Sequence, residues 1–189
     1  MILSDEEFDH LFYNFKAEQR LPEFKMLIDE VGKLEPEVIL EIGVRFGGSL
    51  KFWERIAKEL VVGVDIDRSA PWSWLTFGDK VKIVIGDSTK ESTKKEVNDI
   101  LKGRKIDFLF VDGGHGCSPR YNDYIRIPCQ DINNTPRRDF ENFSPLVRSG
   151  GLVCIADLGE PCCRDTYDVL EGKKKRLVGQ DEHGLWWKP

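Results

Sequence analysis

Five short apolar segments, separated by polar stretches with helical spacing, constrain the fold of this chain more than any other feature. The segments span Val38–Ile42, Val61–Asp65, Val81–Ile85, Ile106–Val111 and Leu152–Ala156. Nearly continuous apolar runs of this kind are typical of strands buried on both faces, and parallel strands need a crossover helix between them. The pattern therefore predicts an α/β, Rossmann-like fold: a mostly parallel sheet with helices on both faces.

Further elements flank this predicted sheet. Two amphipathic helices are predicted within residues 1–35, the first of them opened by a capping-box pair, Ser4 and Glu7. Near the other end, a polar turn separates the apolar segments Leu177–Gly179 and Leu185–Trp187. This spacing predicts a closing pair of strands.

The length of 189 residues predicts a single domain. Within it, residues 1–35 form the N-terminal helices and residues 36–189 the α/β core. Residues 113–134 are rich in Gly, Pro, Asn and Cys and are predicted to be a long loop. Long loops in compact domains are often functional, so this one is expected to shape a binding site.

Charge and composition argue against several classes of protein, nucleic-acid-binding proteins among them. The net charge is −5 and the isoelectric point about 5.4, so no overall positive field attracts nucleic acid or an anionic membrane. No segment approaches the roughly 18 apolar residues of a membrane span, and the first residues lack the features of a signal peptide. The five cysteines show no Cys-x-x-Cys spacing, which is typical of reduced thiols. We expect a soluble, cytoplasmic protein.

The segment Glu41–Ser49 joins the first predicted strand to the next helix, where open α/β sheets bind their ligands. Arg45 stands where a dinucleotide fingerprint needs its middle glycine, and the Gly-Lys-Ser/Thr of a phosphate-binding P-loop is missing. The carboxylate of Glu41 suits a positively charged cofactor. We expect an adenosyl cofactor without phosphates, with Ser49 also a candidate helix cap. The residues expected to hold it here are Glu41, Gly43, Gly47, Gly48 and Ser49.

Acidic residues follow the next two predicted strands. Asp65 and Ile66 come about 20 residues after the glycine loop, where a carboxylate can accept hydrogen bonds from both ribose hydroxyls. Asp87 and Ser88 end the third strand, where Asp87 is a candidate acceptor for the adenine amine. An aspartate after a strand is also a common turn former, so Asp87 has a second interpretation.

Five segments carry a family resemblance: Glu41–Ser49, Val62–Asp67, Gly86–Ser88, Val111–His115 and Pro145–Asp157. In combination they resemble a class I methyltransferase, over about residues 36–160. More narrowly, they resemble the family that contains cephalosporin hydroxylase-like proteins and small-molecule or sugar O-methyltransferases. The resemblance implies a seven-stranded sheet with an antiparallel last strand, and S-adenosylmethionine as methyl donor. Relative to this family, the long loop at residues 113–134 is an inserted loop.

The resemblance also raises the question of a metal. Metal-dependent relatives place one acid after the fourth strand and a pair after the fifth, which suits Mg²⁺ because this ion prefers oxygen ligands. Asp112 and Asp157 match two of these positions, but Ala156 replaces the third. Two carboxylates can still hold a hydrated Mg²⁺, so Asp112 and Asp157 are candidate metal ligands. Asp112 is also expected to contact the cofactor.

Methyl transfer to a hydroxyl needs a group that takes the proton. His115, just after the fourth strand, is the first candidate base, since an unperturbed imidazole titrates near pH 6.5. If His115 only braces its loop, Asp112 or Asp157 is the alternative base. The other two histidines, His10 and His183, are expected to face solvent.

The leading hypothesis is S-adenosylmethionine-dependent methyl transfer to a hydroxyl of a small molecule or sugar, with a homo-oligomer left open. Two alternatives compete with it. An NAD-dependent oxidoreductase uses a similar sheet, but Arg45 argues against it. A non-catalytic S-adenosylmethionine-binding protein is the other, because of Ala156 and the inserted loop.

Overall fold

The computed structural model describes residues 3–15, 17–67, 75–114 and 135–189. The helices in this part of the chain are α1 (Asp5–Asn14), α2 (Leu21–Lys33), α3 (Gly48–Ile56), α4 (Glu91–Leu101), α5 (Thr135–Phe143) and α6 (Pro161–Asp168). A 3₁₀ turn at Ser144–Leu146 follows α5. The strands are β1 (Val38–Ile42), β2 (Leu60–Asp65), β3 (Val81–Ile85), β4 (Ile106–Val111), β5 (Val147–Ile155), β6 (Lys174–Leu177) and β7 (His183–Trp187).

The seven strands form one sheet in the order β3-β2-β1-β4-β5-β7-β6. Pairing is parallel from β3 to β5, whereas β7 runs antiparallel to both β5 and β6. Strands β2 and β3 are added on one side of β1, whereas β4 and β5 are added on the other. Such a switch point between β1 and β4 opens a crevice at the carboxyl ends of the strands. The predicted fold class, including the antiparallel last strand, is confirmed. The closing pair of strands is present, but its first strand is Lys174–Leu177 and not the predicted Leu177–Gly179.

Helices cover both faces of the sheet. Buried side chains of α1, α2 and α3 pack on one face, and those of α4 and α5 pack on the other. The first face is rich in aromatic residues, with the Trp53 ring centroid 5.2 Å from that of Phe108 and 5.6 Å from that of Phe110. Each fully buried side chain of this size stabilises the fold by about 1.5–3 kcal/mol relative to an exposed one. This face therefore anchors the two N-terminal helices.

Local signals explain where the first helix begins. Ser4 Oγ accepts a hydrogen bond from Glu7 N at 3.2 Å, and Ser4 N donates to Glu7 Oε2 at 3.1 Å, so the predicted capping box is present. This reciprocal pair satisfies donors that the first helical turn leaves open.

Strand β5 begins earlier than predicted, at Val147 instead of Leu152. Its polar first half hid the strand in the sequence, but Val147 still pairs with Ile106 of β4 across a register irregularity. None of the helices in the described ranges is long and apolar enough to cross a membrane. The proposed division into one domain stays a prediction, and the inserted loop falls mostly on residues 115–134, outside the described residues.

Candidate active site

The loop between β1 and α3 lies directly against the end of β4. Gly43 has a φ of +91°, and a Cβ atom there would come 2.2 Å from the carbonyl oxygen of Asp112, so only glycine fits. Arg45 and Gly47 also have positive φ angles, 47° and 76°. Gly47 caps α3, which starts at Gly48, so the N-terminus of the helix lies at the carboxyl edge of the sheet. This edge is the predicted cofactor site.

Glu41 is completely buried beneath this loop. Ser49 donates its hydroxyl hydrogen to Glu41 Oε1 at 2.5 Å, whereas Glu41 Oε2 has no hydrogen-bond partner among the described residues. Burial raises the pKa of Glu41 well above its usual value of 4.5, and the negative charges of Asp112 and Asp65 act in the same direction. The hydrogen bond from Ser49 and the nearby indole N–H of Trp53 oppose this pKa shift without cancelling it. A cation bound here would favour the ionised carboxylate.

Ser49 is not the helix cap that the sequence suggested. The capping position is Gly47, because the chain enters α3 two residues earlier than a cap at Ser49 requires. Ser49 lies in the first turn instead and is buried, and its hydroxyl is used by Glu41.

Asp65, at the end of β2, braces the glycine loop. Its Oδ2 atom accepts hydrogen bonds from the backbone N–H groups of Val44 and Arg45, both at 2.8 Å. Its Oδ1 atom accepts from Asp67 N, also at 2.8 Å. A carboxylate offers about four lone-pair sites, so three of them are in use. Ile66 follows with 59% of its surface exposed, which leaves an apolar side chain at the rim of the crevice.

Asp87 and Ser88 end the neighbouring strand β3. Asp87 Oδ1 accepts from the backbone N–H of Thr89 at 2.9 Å and from its hydroxyl at 2.6 Å, the geometry of a turn former. Asn142 donates to the carbonyl oxygen of Ser88 at 3.1 Å, which ties this turn to α5. The described contacts of Asp87 therefore favour the structural interpretation.

Asp112 and Asp157 lie after β4 and β5, at the same edge. Both charges raise the pKa of the buried Cys154 thiol, after the larger effect of burial itself, so both carboxylates lie near that thiol. Asp157 has a φ of 54°, and Gln19 donates to Asp112 Oδ2 at 2.6 Å. Within the described residues no group of three His, Cys, Asp or Glu side chains is arranged to hold a metal ion. His115 falls outside the described residues.

A sequence model of the family described as Rhamnosyl O-methyltransferase/CmcI matches residues 14–121 of the chain. This stretch exceeds half of the 189 residues and contains the glycine loop and the ends of β1, β2, β3 and β4. The chain belongs to this family. The predicted enzyme class, an S-adenosylmethionine-dependent O-methyltransferase, is thereby confirmed. No curated protein matches the sequence.

Solved methyltransferase structures share the fold. An O-methyltransferase from Bacillus cereus, in complex with SAH, superposes with a TM-score of 0.61 at 17% identity, covering 98% of this chain and 91% of that one. TomG from Streptomyces achromogenes, an O-methyltransferase of tomaymycin synthesis in complex with SAM, gives 0.60 at 17% identity, covering 100% and 92%. MycE of the mycinamycin pathway, with Mg and SAH, gives 0.62 at 18% identity, covering 95% of this chain and 54% of that one.

The structure adds a feature of this methyltransferase that the sequence analysis missed. Three consecutive residues of the α1–α2 connection reach three different loops at the carboxyl edge. Glu18 pairs with Arg45 at 2.7 Å and Gln19 donates to Asp112, while Arg20 pairs with Asp181 at 2.8 Å. We call residues 17–20 the strap. No local pattern predicts it, because its partners lie far away along the chain.

His183 was expected to face solvent, and this prediction is wrong. The side chain is 1% exposed, and neither ring nitrogen has a hydrogen-bond partner among the described residues. An unsatisfied buried polar group costs about 1–3 kcal/mol. The polar neighbours Asp181 and Glu182 suggested an exposed turn, but the alternation of β7 directs His183 to the same face as buried Leu185.

Proposed function

We propose that this methyltransferase transfers the methyl group of S-adenosylmethionine to a hydroxyl group of a small molecule at the carboxyl edge of the sheet. The single observation that carries the site assignment is Glu41, a buried carboxyl group with one oxygen that no described residue satisfies. A cofactor with an ammonium and a sulfonium supplies the positive charge that this position favours. A pyrophosphate at the same place would be repelled by Glu41, Asp65 and Asp112.

The surrounding backbone fits the same cofactor. Gly43 lets the loop pack directly against the end of β4, which fixes the loop backbone beside Glu41. The first N–H groups of a helix lack intrahelical partners and carry partial positive charge, which suits a carboxylate such as that of the methionine moiety. The start of α3 at Gly48 supplies these groups.

Asp65 is proposed to contact the ribose through one hydrogen bond. The sequence led us to expect bonds to both hydroxyls, but three of its roughly four lone-pair sites already accept backbone N–H groups. The remaining site lies on Oδ1, which accepts only from Asp67 N among the described residues. Asp65 thus has two functions in this proposal: it braces the loop and orients the nucleoside.

The proposed reaction needs no covalent intermediate with the protein. The bound cofactor supplies a methyl carbon that its sulfonium already activates, so the protein contributes mainly alignment, which can lower a barrier by about 7–11 kcal/mol. The acceptor proton is proposed to go to His115, or to Asp112 or Asp157 if His115 only braces its loop. We propose a cytoplasmic location as well, which the reduced thiols of Cys154, Cys162 and Cys163 support.

The described residues do not form a magnesium site by themselves. Asp112 and Asp157 are two oxygen donors without a third side chain arranged beside them, as far as the described residues go. Moreover, Asp112 Oδ2 already accepts a hydrogen bond from the Gln19 amide. The proposed reaction therefore includes no metal ion. The binding experiment is carried out both with and without Mg²⁺.

Isothermal calorimetry with S-adenosylhomocysteine tests the cofactor site. The wild type is expected to bind with a Kd in the micromolar range or below, with or without Mg²⁺. Asp65→Ala removes a charged acceptor and the hydrogen bonds that hold the glycine loop. This change is expected to weaken binding about 100-fold, or about 2.7 kcal/mol. The matched control Asp79→Ala replaces an exposed aspartate outside the proposed contacts and is expected to bind like the wild type.

Two outcomes would replace the proposal. Binding of NADH without binding of S-adenosylhomocysteine would assign the crevice to an oxidoreductase. Tight cofactor binding without methyl transfer to any of a broad set of phenols and sugars would favour a non-catalytic binding protein. Equal affinity of the wild type and Asp65→Ala would remove Asp65 from the site.

A further inference from the structure

His183 is a buried imidazole with unused hydrogen-bonding capacity. It opens β7 and is 1% exposed, and both Nδ1 and Nε2 lack a hydrogen-bond partner within the described ranges. A neutral imidazole offers one donor and one acceptor. Buried polar groups in native proteins are almost always satisfied, so an exception calls for an explanation, and a bound ligand is one.

The register of the sheet places His183 at the active-site edge. Ile155 pairs with Gly184, so His183 lies beside Ala156, and Ala156 N donates to the carbonyl oxygen of Val111, the residue before Asp112. Asp112, Ala156 and His183 therefore form one row along the carboxyl edge. Neighbouring strands lie about 4.8 Å apart, so Asp112 and His183 stand about 10 Å apart with the small side chain of Ala156 between them.

The same face connects this row to the cofactor site. The ring of His183 lies 6.1 Å from that of Phe110 at an interplanar angle of 78°, and Phe110 pairs in register with Glu41. Side chains two residues apart on a strand share a face, so Phe110 and Asp112 point the same way. His183 is thus on the side of Asp112 that faces away from β1 and the glycine loop.

The strap and the first turn of α2 cover this row. Gln19 bonds Asp112, and next to it Arg20 pairs with Asp181, two residues before His183. Glu23 of α2 accepts a hydrogen bond from Asp181 N at 2.9 Å. The Arg20 and Asp181 side chains are 51% and 32% exposed, and ion pairs that exposed are weak. This ion pair therefore adds little to the free energy that holds the cover over His183.

We propose that His183 binds the acceptor: its imidazole holds a hydroxyl group of the substrate in the row between Asp112 and His183, over Ala156. This inference rests on the proposed function and adds to it the position and class of the acceptor. That class is a small neutral compound with at least two hydroxyl groups, because one hydroxyl is held while another is methylated. An anionic acceptor is disfavoured by Glu41, Asp112 and Asp157 at the same edge.

Histidine NMR offers a direct test, since the chain has only three histidines. The wild type, labelled in its imidazole rings and saturated with S-adenosylhomocysteine, is titrated with catechol and, separately, with methyl α-L-rhamnopyranoside. The His183 signal is assigned by its loss in His183→Gln. We expect at least one probe to shift that signal, while the signal of His10, exposed on α1, stays unmoved.

Substitution separates binding from packing. His183→Phe keeps an aromatic ring beside Phe110 but removes both nitrogens, so we expect the probe to bind at least 10-fold more weakly. The affinity for S-adenosylhomocysteine should stay within twofold of the wild type. Because an unsatisfied polar group is lost, the Tm is expected to hold or to rise by about 2–4 °C. His183→Gln, which keeps a donor and an acceptor, should retain part of the probe affinity, and His10→Phe is the matched control.

Either of two results overturns the inference: neither probe shifts the His183 signal, or His183→Phe binds the probe as tightly as the wild type. In both cases wild-type binding of S-adenosylhomocysteine leaves the proposed function intact. If the wild type does not bind S-adenosylhomocysteine at all, the proposed function fails first and this inference fails with it.

Discussion

Two buried carboxyl groups on neighbouring strands have opposite surroundings. Asp107, at the amino edge of β4, accepts hydrogen bonds from Glu37 N at 2.8 Å, Val38 N at 2.9 Å and Arg148 Nε at 2.5 Å. Glu41, near the carboxyl edge of β1, accepts from Ser49, but its Oε2 atom has no partner among the described residues. Both carboxyl oxygens of Asp107 therefore have hydrogen-bond donors, whereas one oxygen of Glu41 has none among the described residues.

This contrast separates structure from function along one sheet. Parallel strands bring their carboxyl ends to one edge, where ligands bind, so the opposite edge is available for bonds that only stabilise the fold. Asp107 fixes the start of β1 and the polar half of β5 through its three donors. Glu41 is costly to bury alone, and that cost is recovered when a cation binds.

The largest expected effect is a loss of stability at the amino edge. Asp107→Ala leaves one buried and one partly buried backbone N–H group without an acceptor and Arg148 without its partner, so we expect the free energy of unfolding to fall by about 3–5 kcal/mol. Urea denaturation measures this change. Cofactor affinity, measured on protein that remains folded, should stay within about twofold of the wild type.

A surface aspartate provides the control for Asp107→Ala. Asp99 pairs with Lys95 one turn away on α4, and both side chains are largely exposed. Asp99→Ala is therefore expected to change the free energy of unfolding by no more than about 0.5 kcal/mol. If Asp107→Ala costs as little as this, the amino edge is not held together by its acid and the contrast with Glu41 is wrong.

The next effect concerns the glycine loop at the carboxyl edge. Gly43→Ala places a Cβ atom 2.2 Å from the carbonyl oxygen of Asp112 at a φ of +91°. Strain and displacement together are expected to cost about 2–4 kcal/mol of unfolding free energy. Unlike the change at Asp107, this one is expected to weaken binding of S-adenosylhomocysteine at least 10-fold, because the loop must move away from β4.

Gly159, in the loop after β5 at the same edge, is the matched control for Gly43. A Cβ atom there meets nothing within 4 Å, and its φ is not positive. Gly159→Ala is expected to leave both unfolding and binding unchanged, as calorimetry and thermal melting can check. A Gly43→Ala protein that bound cofactor normally would show that the loop does not contact the ligand.

Most of the sheet could be predicted because its signal is local. Strands β1, β3 and β4 have the predicted bounds, since each is an apolar run that a single charged residue interrupts. The start of β5 could not be predicted in this way. Arg148, Ser149 and Gly150 are polar or small, and they lie in a register irregularity between the pairs Val147–Ile106 and Leu152–Phe108.

The residues of the candidate site also fall into those that local sequence spacing predicts and those that it does not. The glycine loop and Asp65 follow from spacing within one β-α-β unit, and the structure brings them together through the bonds of Asp65 to Val44 and Arg45. Contacts between distant segments left no such signal. Gln19 and Asp112 are 93 positions apart, and the burial of His183 depends on how β7 inserts beside β5. Side chains that act on the acceptor are therefore harder to predict than those that hold the cofactor.

The smallest expected effect has the opposite sign and concerns Glu41. Glu41→Gln resembles the protonated acid and keeps an oxygen that can accept from Ser49. Burial raises the pKa of Glu41 in the folded protein above 4.5, its ordinary value, so the folded state binds the proton more tightly than the unfolded chain does. Below pH 4.5 both states are protonated, and the substitution changes little. As the pH rises from there through the folded-state pKa, the wild type loses stability that Glu41→Gln keeps.

Thermal melting of the cofactor-free proteins between pH 5.5 and 8.5 measures this difference. We expect the Tm of Glu41→Gln to exceed that of the wild type by an amount that grows with pH, up to about 2–4 °C for about 1 kcal/mol. Binding should change in the other direction, with about 10-fold weaker affinity for S-adenosylmethionine, because the charge that meets the cation is gone. If Glu41→Gln is less stable than the wild type at pH 8.5, the ionised Glu41 stabilises the fold as Asp107 does, and the contrast between the two acids is wrong.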